Sequence, residues 1–135
     1  MTNSKQLVTI SIPVLNEADN VKPLLERLRA VAGSNPRYDF EFLFTDNAST
    51  DATFERLAEE ARSDDRIRVL RFTRNFGFQT SILTNYLNAN GAAAIQIDAD
   101  LQDPPELFLA SFWPPGNKAT RSSTESAEAG PKILF

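Results

Sequence analysis

A chain of 135 residues, 41% hydrophobic and 10% aromatic, has room for one domain with a sizeable core and is too apolar to stay disordered. It has no Cys and no His; that excludes disulfides, thiol nucleophiles, Cys/His zinc sites and histidine bases, and leaves carboxylates, amides, hydroxyls, Lys/Arg or an oxygen-held metal. The net charge of −4 speaks against nucleic acid as a partner, and with no apolar run long enough for a transmembrane segment and no secretory signal, the expectation is a soluble, non-exported, cytoplasmic chain.

Leu7 to Pro13 (LVTISIP) predicts a strand, and Val21, Leu24, Leu25, Leu28 and Val31 then follow at the spacing of a helical apolar stripe, with Gly33 as its C′ residue. Phe40, Phe42 and Phe44 alternate in a second strand, and Phe54, Leu57, Ala58 and Ala61 mark a second helix. Ile67 to Thr73 is a third strand. A third helix, about Gln79 to Asn90, is expected to turn Ile82, Leu83, Tyr86 and Leu87 inward and to end at Gly91. Ala93 to Ile97 is a short fourth strand, after which Asp103, Pro104, Pro105 and Glu106 fit the first turn of a fourth helix. Residues 114–135 are rich in Pro, Gly, Ser, Thr and Ala without periodicity, so the expected organisation is a domain over 1–113 and a disordered tail over 114–135. Strand and helix alternate, so the fold class is α/β, a Rossmann-like open and mainly parallel sheet with right-handed crossovers.

Ligands of such sheets bind outside the carboxyl ends of the strands, where loops and helix N-termini converge. The four loops there are all polar: Pro13 to Glu17, Asp46 to Asp51, Arg74 to Gly77 and Asp98 to Asp103. Neither G-x-G-x-x-G nor G-x-x-x-x-G-K-[ST] occurs, so a bound nucleotide would rely on a cation rather than a glycine cradle. In an extended segment Asp98 and Asp100 project to one side, with Gln102 on the same alternation. Oxygen-only donors of this kind suit Mg²⁺ or Mn²⁺, which complete their shell with water and substrate phosphate.

The ordered series P-V-L-N-E (13–17), D-N-A-S-T-D (46–51), R-N-F-G (74–77) and D-A-D-L-Q-D-P-P-E (98–106) resembles the family 2 glycosyltransferases of the glycosyltransferase A fold. Within them it is most similar to polyprenyl-phosphate sugar transferases such as dolichol-phosphate mannose synthase and the bactoprenol glucosyltransferases. The resemblance implies that Pro13, Asn16 and Glu17 lie against the nucleoside and that Asp46 recognises the base. It places Asp51 in the nucleotide pocket and has Arg74 and Asn75 shape the donor pocket. Asp98, Asp100 and Gln102 would bind the metal on the diphosphate, with Asp98 and Asp100 as the catalytic pair. The donor is then a UDP- or GDP-linked sugar and the acceptor a polyprenyl phosphate, met in full-length relatives at the cytoplasmic face of the membrane.

Asn47 departs from the acidic residue that many family members carry there, which leaves the base preference open. The resemblance stops near Leu107 or Phe108, so the chain is expected to be a truncated donor-binding half. Such a half would be catalytically silent, with the Ala93 to Ile97 strand at an exposed edge that favours self-association. The alternative reading is a nucleotide-binding module without catalysis. A phospho-receiver domain fits poorly, because the first strand ends in Ser11-Ile12-Pro13 rather than in acidic residues.

Overall fold

The computed structural model of the chain describes residues 5–101 and 132–134. In chain order the elements are β1 (Gln6–Val14), α1 (Ala18–Ser34), β2 (Tyr38–Asp46), α2 (Thr53–Ser63), β3 (Ile67–Arg71), α3 (Phe78–Asn88), β4 (Ala93–Gln96) and β5 (Lys132–Leu134). The strands form one sheet in the order β3-β2-β1-β4-β5, with every described pairing parallel. The expected α/β architecture is therefore present. The fourth helix lies outside the described residues.

Alternation along the strands assigns the two faces of the sheet different chemistry. Val8, Ile10, Ile12 and Val14 of β1 and Phe40, Phe42 and Phe44 of β2 are buried together with Val21, Leu24, Leu25, Leu28 and Val31 of α1 and Leu57 of α2. Each such side chain contributes roughly 1.5–3 kcal/mol by leaving water, so this face is the main source of cohesion. The opposite face carries Thr9 and Ser11 of β1 and Glu41 and Thr45 of β2, all buried.

That polar face explains a correction to α3. Ser81 and Asn85 are its buried residues, Ile82 and Tyr86 are half-buried, and Leu83 and Leu87, expected inside, are exposed. The Thr45 hydroxyl donates to Asn85 Oδ1, and the Tyr86 hydroxyl donates to Gln96 Oε1 of β4 at 3.1 Å. Periodicity finds a helix's apolar stripe but takes for granted that the sheet beneath is apolar, and here it is not. A second correction concerns Gly33, which lies inside α1. Asn35 stops that helix instead, its amide donating to the Val31 carbonyl at 2.8 Å, so no left-handed glycine is needed.

Within the segment expected to be a tail, Lys132–Leu134 form a strand that pairs with β4 through the register Ala93↔Lys132 to Ile95↔Leu134. The strand expected at an exposed edge therefore has a neighbour on each side, because a free parallel edge accepts a short apolar segment. The rest of 114–135 lies outside the described residues.

Between α2 and β3, Asp64 receives Arg29 Nε of α1 at 3.1 Å and Arg66 Nε at 2.9 Å. The hydrogen bond from Arg66, opposed by burial and helped by Arg29, holds its carboxyl at about 2. A depressed carboxylate stabilises the fold above its unfolded pKa and loses that contribution as pH falls through the folded one. Asp64→Asn should cost about 1–2 kcal/mol at pH 7, allowing for solvent screening at the arginines. In urea denaturation the difference from wild type should shrink between pH 4 and pH 2; a pH-independent difference would contradict the assignment.

Candidate functional site

The chain runs from β1 outward to β2 and β3, then returns past β1 to β4, so strand order reverses between β1 and β4. Such a switch point opens a crevice at the carboxyl ends of the two strands. The register Ser11↔Gln96 carries the sheet on to Pro13 and Asp98, so the first and fourth loops meet there. A cleft of about 490 Å³ occupies this position. The first loop contributes Pro13, Val14, Leu15 and Glu17 to its walls, and the fourth contributes Asp98, Ala99 and Asp100. Asn47, Asn75, Gly77, Phe78 and Ser81 complete the lining from the other two loops and α3.

Asp98 and Asp100 are both exposed to the cleft, whereas Ala99 between them is buried. Exposure alternates over these three residues, but Ala99 and Asp100 lie in a turn rather than in the extended backbone expected. Gln102 lies outside the described residues. Among those described, no group of three or more acidic side chains is placed to hold a cation. The donor set offered here is two hard carboxylates, which fits Mg²⁺ or Mn²⁺ only with water or phosphate oxygens filling the remaining positions.

The other loops are stitched to one another by side-chain hydrogen bonds. Asn16, at φ 54°, accepts from Thr50 N at 2.8 Å through its Oδ1, and its own N–H donates to Ser49 Oγ at 2.8 Å. The left-handed conformation that Asn tolerates aims the amide across the gap. Asp51 accepts from Thr53 N at 2.9 Å and from Ala18 N at 3.2 Å, and so satisfies first-turn donors of both α2 and α1. Burial pushes the Asp51 carboxyl up, but the bonds from the Thr53 hydroxyl and backbone, with that from Ala18, outweigh it and hold it below the usual carboxylate range. Asp51→Ala should lower stability by about 1–2 kcal/mol, the usual effect of losing a cap, read as a fall in the urea midpoint. An unchanged midpoint would show that water replaces the carboxylate.

Asp46 is 0% exposed. Its Oδ1 accepts from Ser49 N at 3.3 Å and from the Ser49 hydroxyl, while Arg71 Nε stands 3.6 Å from Oδ2, an ion-pair rather than a hydrogen-bond separation. Asp46 thus lies beneath its loop and outside the cleft lining, whereas its neighbour Asn47, itself buried, contributes to that lining. The Asn47 amide donates to Asn75 Oδ1 at 2.8 Å and accepts from Phe76 N at 2.9 Å, and Gly77 N also donates to Asn75 Oδ1 at 2.8 Å. Arg74 lies with its guanidinium 4.4 Å from the Phe76 ring centroid.

The structure therefore brings Pro13, Glu17, Asn75, Asp98 and Asp100 to one cleft, and uses Asn16, Asp46 and Asp51 to hold its loops. Arg74 is exposed and is not part of the lining. Sequence reasoning missed Asn47, Phe78 and Ser81 as lining residues. Of these, Asn47 had a visible signal: an amide in a loop whose other members are mostly acids and hydroxyls.

The glycosyl transferase family 2 profile matches residues 9–115, past the Phe108 at which the resemblance was expected to end. The uncharacterized glycosyltransferase YkcC of Bacillus subtilis is 40% identical over 101 residues, which are 75% of this chain and 31% of that one. An undecaprenyl-phosphate 4-deoxy-4-formamido-L-arabinose transferase of Pseudomonas fluorescens is 40% identical over 101 residues, 73% of this chain and 29% of that one. The mannosyltransferase PcManGT from Pyrobaculum calidifontis, solved with GDP-Man and Mn²⁺, superimposes with a TM-score of 0.66 at 24% identity, covering 80% of this chain and 31% of that one. The chain spans about 31% of the length of the first of these curated relatives.

Proposed function

The chain belongs to glycosyl transferase family 2, and from that membership we propose that its cleft binds a nucleotide diphosphate sugar whose sugar the whole protein transfers to a polyprenyl phosphate. One observation carries this reading: two exposed carboxylates, Asp98 and Asp100, share the switch-point cleft with the polar loops after β1, β2 and β3. A structural neighbour and a sequence relative support its two halves, since PcManGT was solved with GDP-Man and Mn²⁺ and the Pseudomonas fluorescens enzyme is named for undecaprenyl phosphate.

In this reading Asp98 and Asp100 hold Mg²⁺ or Mn²⁺ together with the diphosphate. When bound, the cation offsets the charge that grows on the departing nucleoside diphosphate. Pro13 and Glu17 bound the nucleoside end, and the hydrogen-bonded Asn47–Asn75 pair holds part of the cleft wall. Asp46, Asn16 and Asp51 serve the nucleoside through the loops they anchor, and Arg74 acts from the rim. The acceptor phosphate is ionised at neutral pH, so the lack of histidine leaves no missing base.

Calorimetric titration with UDP and with GDP, each with and without Mn²⁺, tests the donor site. One of the two should bind, and Mn²⁺ should tighten it at least tenfold. Failure of both to bind would overturn the proposal. For these 135 residues by themselves the same geometry supports a narrower reading, a donor-binding unit without transfer, because the described cleft lining comes from the four loops and the first turn of α3. Transfer of label from a nucleotide sugar to undecaprenyl phosphate by the purified chain would exclude that narrower reading.

A further inference from the structure

The described lining of the cleft is poor in side-chain hydrogen-bond donors. It holds the carboxylates of Glu17, Asp98 and Asp100 and neither Lys nor Arg. Arg74, adjacent to it in sequence, rests its guanidinium 4.4 Å from the Phe76 ring centroid and is not in the lining. The Ser81 hydroxyl spends its proton on the Gly77 carbonyl at 3.3 Å. Side-chain N–H groups come from two amides, Asn47 and Asn75. A nucleoside diphosphate is rich in acceptor oxygens, so the way these amides are turned decides what the described wall offers it.

Backbone donors turn both of them. Phe76 N donates to Oδ1 of the buried Asn47 at 2.9 Å, and Asn47 Nδ2 in turn donates to Asn75 Oδ1 at 2.8 Å. Gly77 N donates to the same Asn75 Oδ1 at 2.8 Å. A backbone N–H can only donate, so reversing either amide would set one donor against another. The consequence falls on Asn75 Nδ2. Its oxygen is doubly occupied, while its NH₂ group makes no hydrogen bond to the described residues and keeps both protons unspent. Asn75 itself is exposed and lines the cleft.

We infer that Asn47 is a positioning residue for Asn75, and that the Asn75 NH₂ group so presented binds an acceptor oxygen of the nucleotide. The inference rests on the donor reading above and names a contact within it. Asn47→Asp separates the two roles. A carboxylate at position 47 still accepts from Phe76 N but has no proton for Asn75 Oδ1, and two oxygens then face each other. Asn75 reverses, because its NH₂ group gains a charge-assisted bond to the carboxylate that outweighs the neutral one from Gly77 N. The reversal presents an acceptor to the nucleotide's own acceptors.

Calorimetry of the full chain with UDP and with GDP in Mn²⁺, on wild type, Asn75→Ala, Asn47→Asp and the double variant, tests the assignment. Each single variant should bind the preferred nucleotide at least about fivefold more weakly, the scale of one lost hydrogen bond. The double variant should bind no more weakly than Asn75→Ala, since Asn47 acts through Asn75. In nitrogen–proton correlation spectra the Asn75 side-chain NH₂ signals of the wild type should shift when nucleotide is added, whereas a role confined to holding the loop would leave them in place. That measurement needs no variant, so a substitution that fails to fold leaves the test intact. A loss seen with the free nucleoside as well assigns the contact to a base or ribose oxygen, and a loss confined to the diphosphate assigns it to a phosphate oxygen. Wild-type affinity in both single variants, NH₂ signals that do not respond to nucleotide, or a double variant weaker than Asn75→Ala would overturn the proposal while the donor reading stands. Failure of the wild type to bind either nucleotide is a separate result, which overturns the donor reading and this contact with it.

Discussion

Replacing Asp98 and Asp100 together by alanine should remove the Mn²⁺-dependent part of nucleoside diphosphate binding, a weakening of at least about a hundredfold, or about 2.7 kcal/mol. Both carboxylates are exposed at the end of β4 and line the cleft. Their removal takes away the hard donors, and at exposed positions it opens no cavity in the core. The fold should therefore survive, and the far-ultraviolet circular dichroism should match wild type. Affinity measured in the presence of a chelator should hardly change, because the loops after β1, β2 and β3 are intact. If Mn²⁺ strengthens UDP or GDP binding equally in the variant and the wild type, these residues do not hold the metal.

Gly91→Val should prevent stable folding, with a loss of more than about 3 kcal/mol. A Cβ built at Gly91 would stand 2.7 Å from both Thr9 N and Thr9 Oγ1 and 2.8 Å from the Ala93 carbonyl. Backbone atoms of two paired strands cannot move aside as a side chain can. The clash also falls on a buried network: Gly91 N donates to Thr9 Oγ1 at 3.0 Å, and the Thr9 hydroxyl donates to Glu41 Oε2 at 2.7 Å. Glu41 further accepts from Asn90 N at 2.8 Å and pairs with Arg68. This network pins the turn that leads into β4, and hence the register that sets Asp98 beside the first loop. Soluble yield and the urea midpoint are the measurements, and a midpoint equal to wild type would refute the steric argument. Gly91→Ala adds the same Cβ and should fall between the two.

Much of the architecture is legible in the sequence because it depends on local periodicity. The alternating Phe40, Phe42 and Phe44 and the stripe from Val21 to Val31 are buried together, as period-two and period-3.6 patterns require. The order of strand and helix determines that the four polar loops share one sheet edge, and the D-x-D spacing marks the two exposed carboxylates that line the cleft.

Tertiary structure alone decided the rest. Nothing local says that β4 pairs with β1 rather than with β3, yet that choice creates the switch point and puts the first and fourth loops in one cleft. Nor can a list of polar loop residues separate a lining side chain from a scaffold. Asp46 and Asp51 turn to helix and loop donors because unpaired N–H groups nearby are costly to leave unmet, while Asn47 is left facing the cleft. The inversion of α3 has the same origin. A stripe of apolar residues specifies that one side of a helix wants cover, but which side meets the sheet depends on the sheet's own chemistry, here Thr9, Ser11, Glu41 and Thr45 contributed by strands far away in sequence.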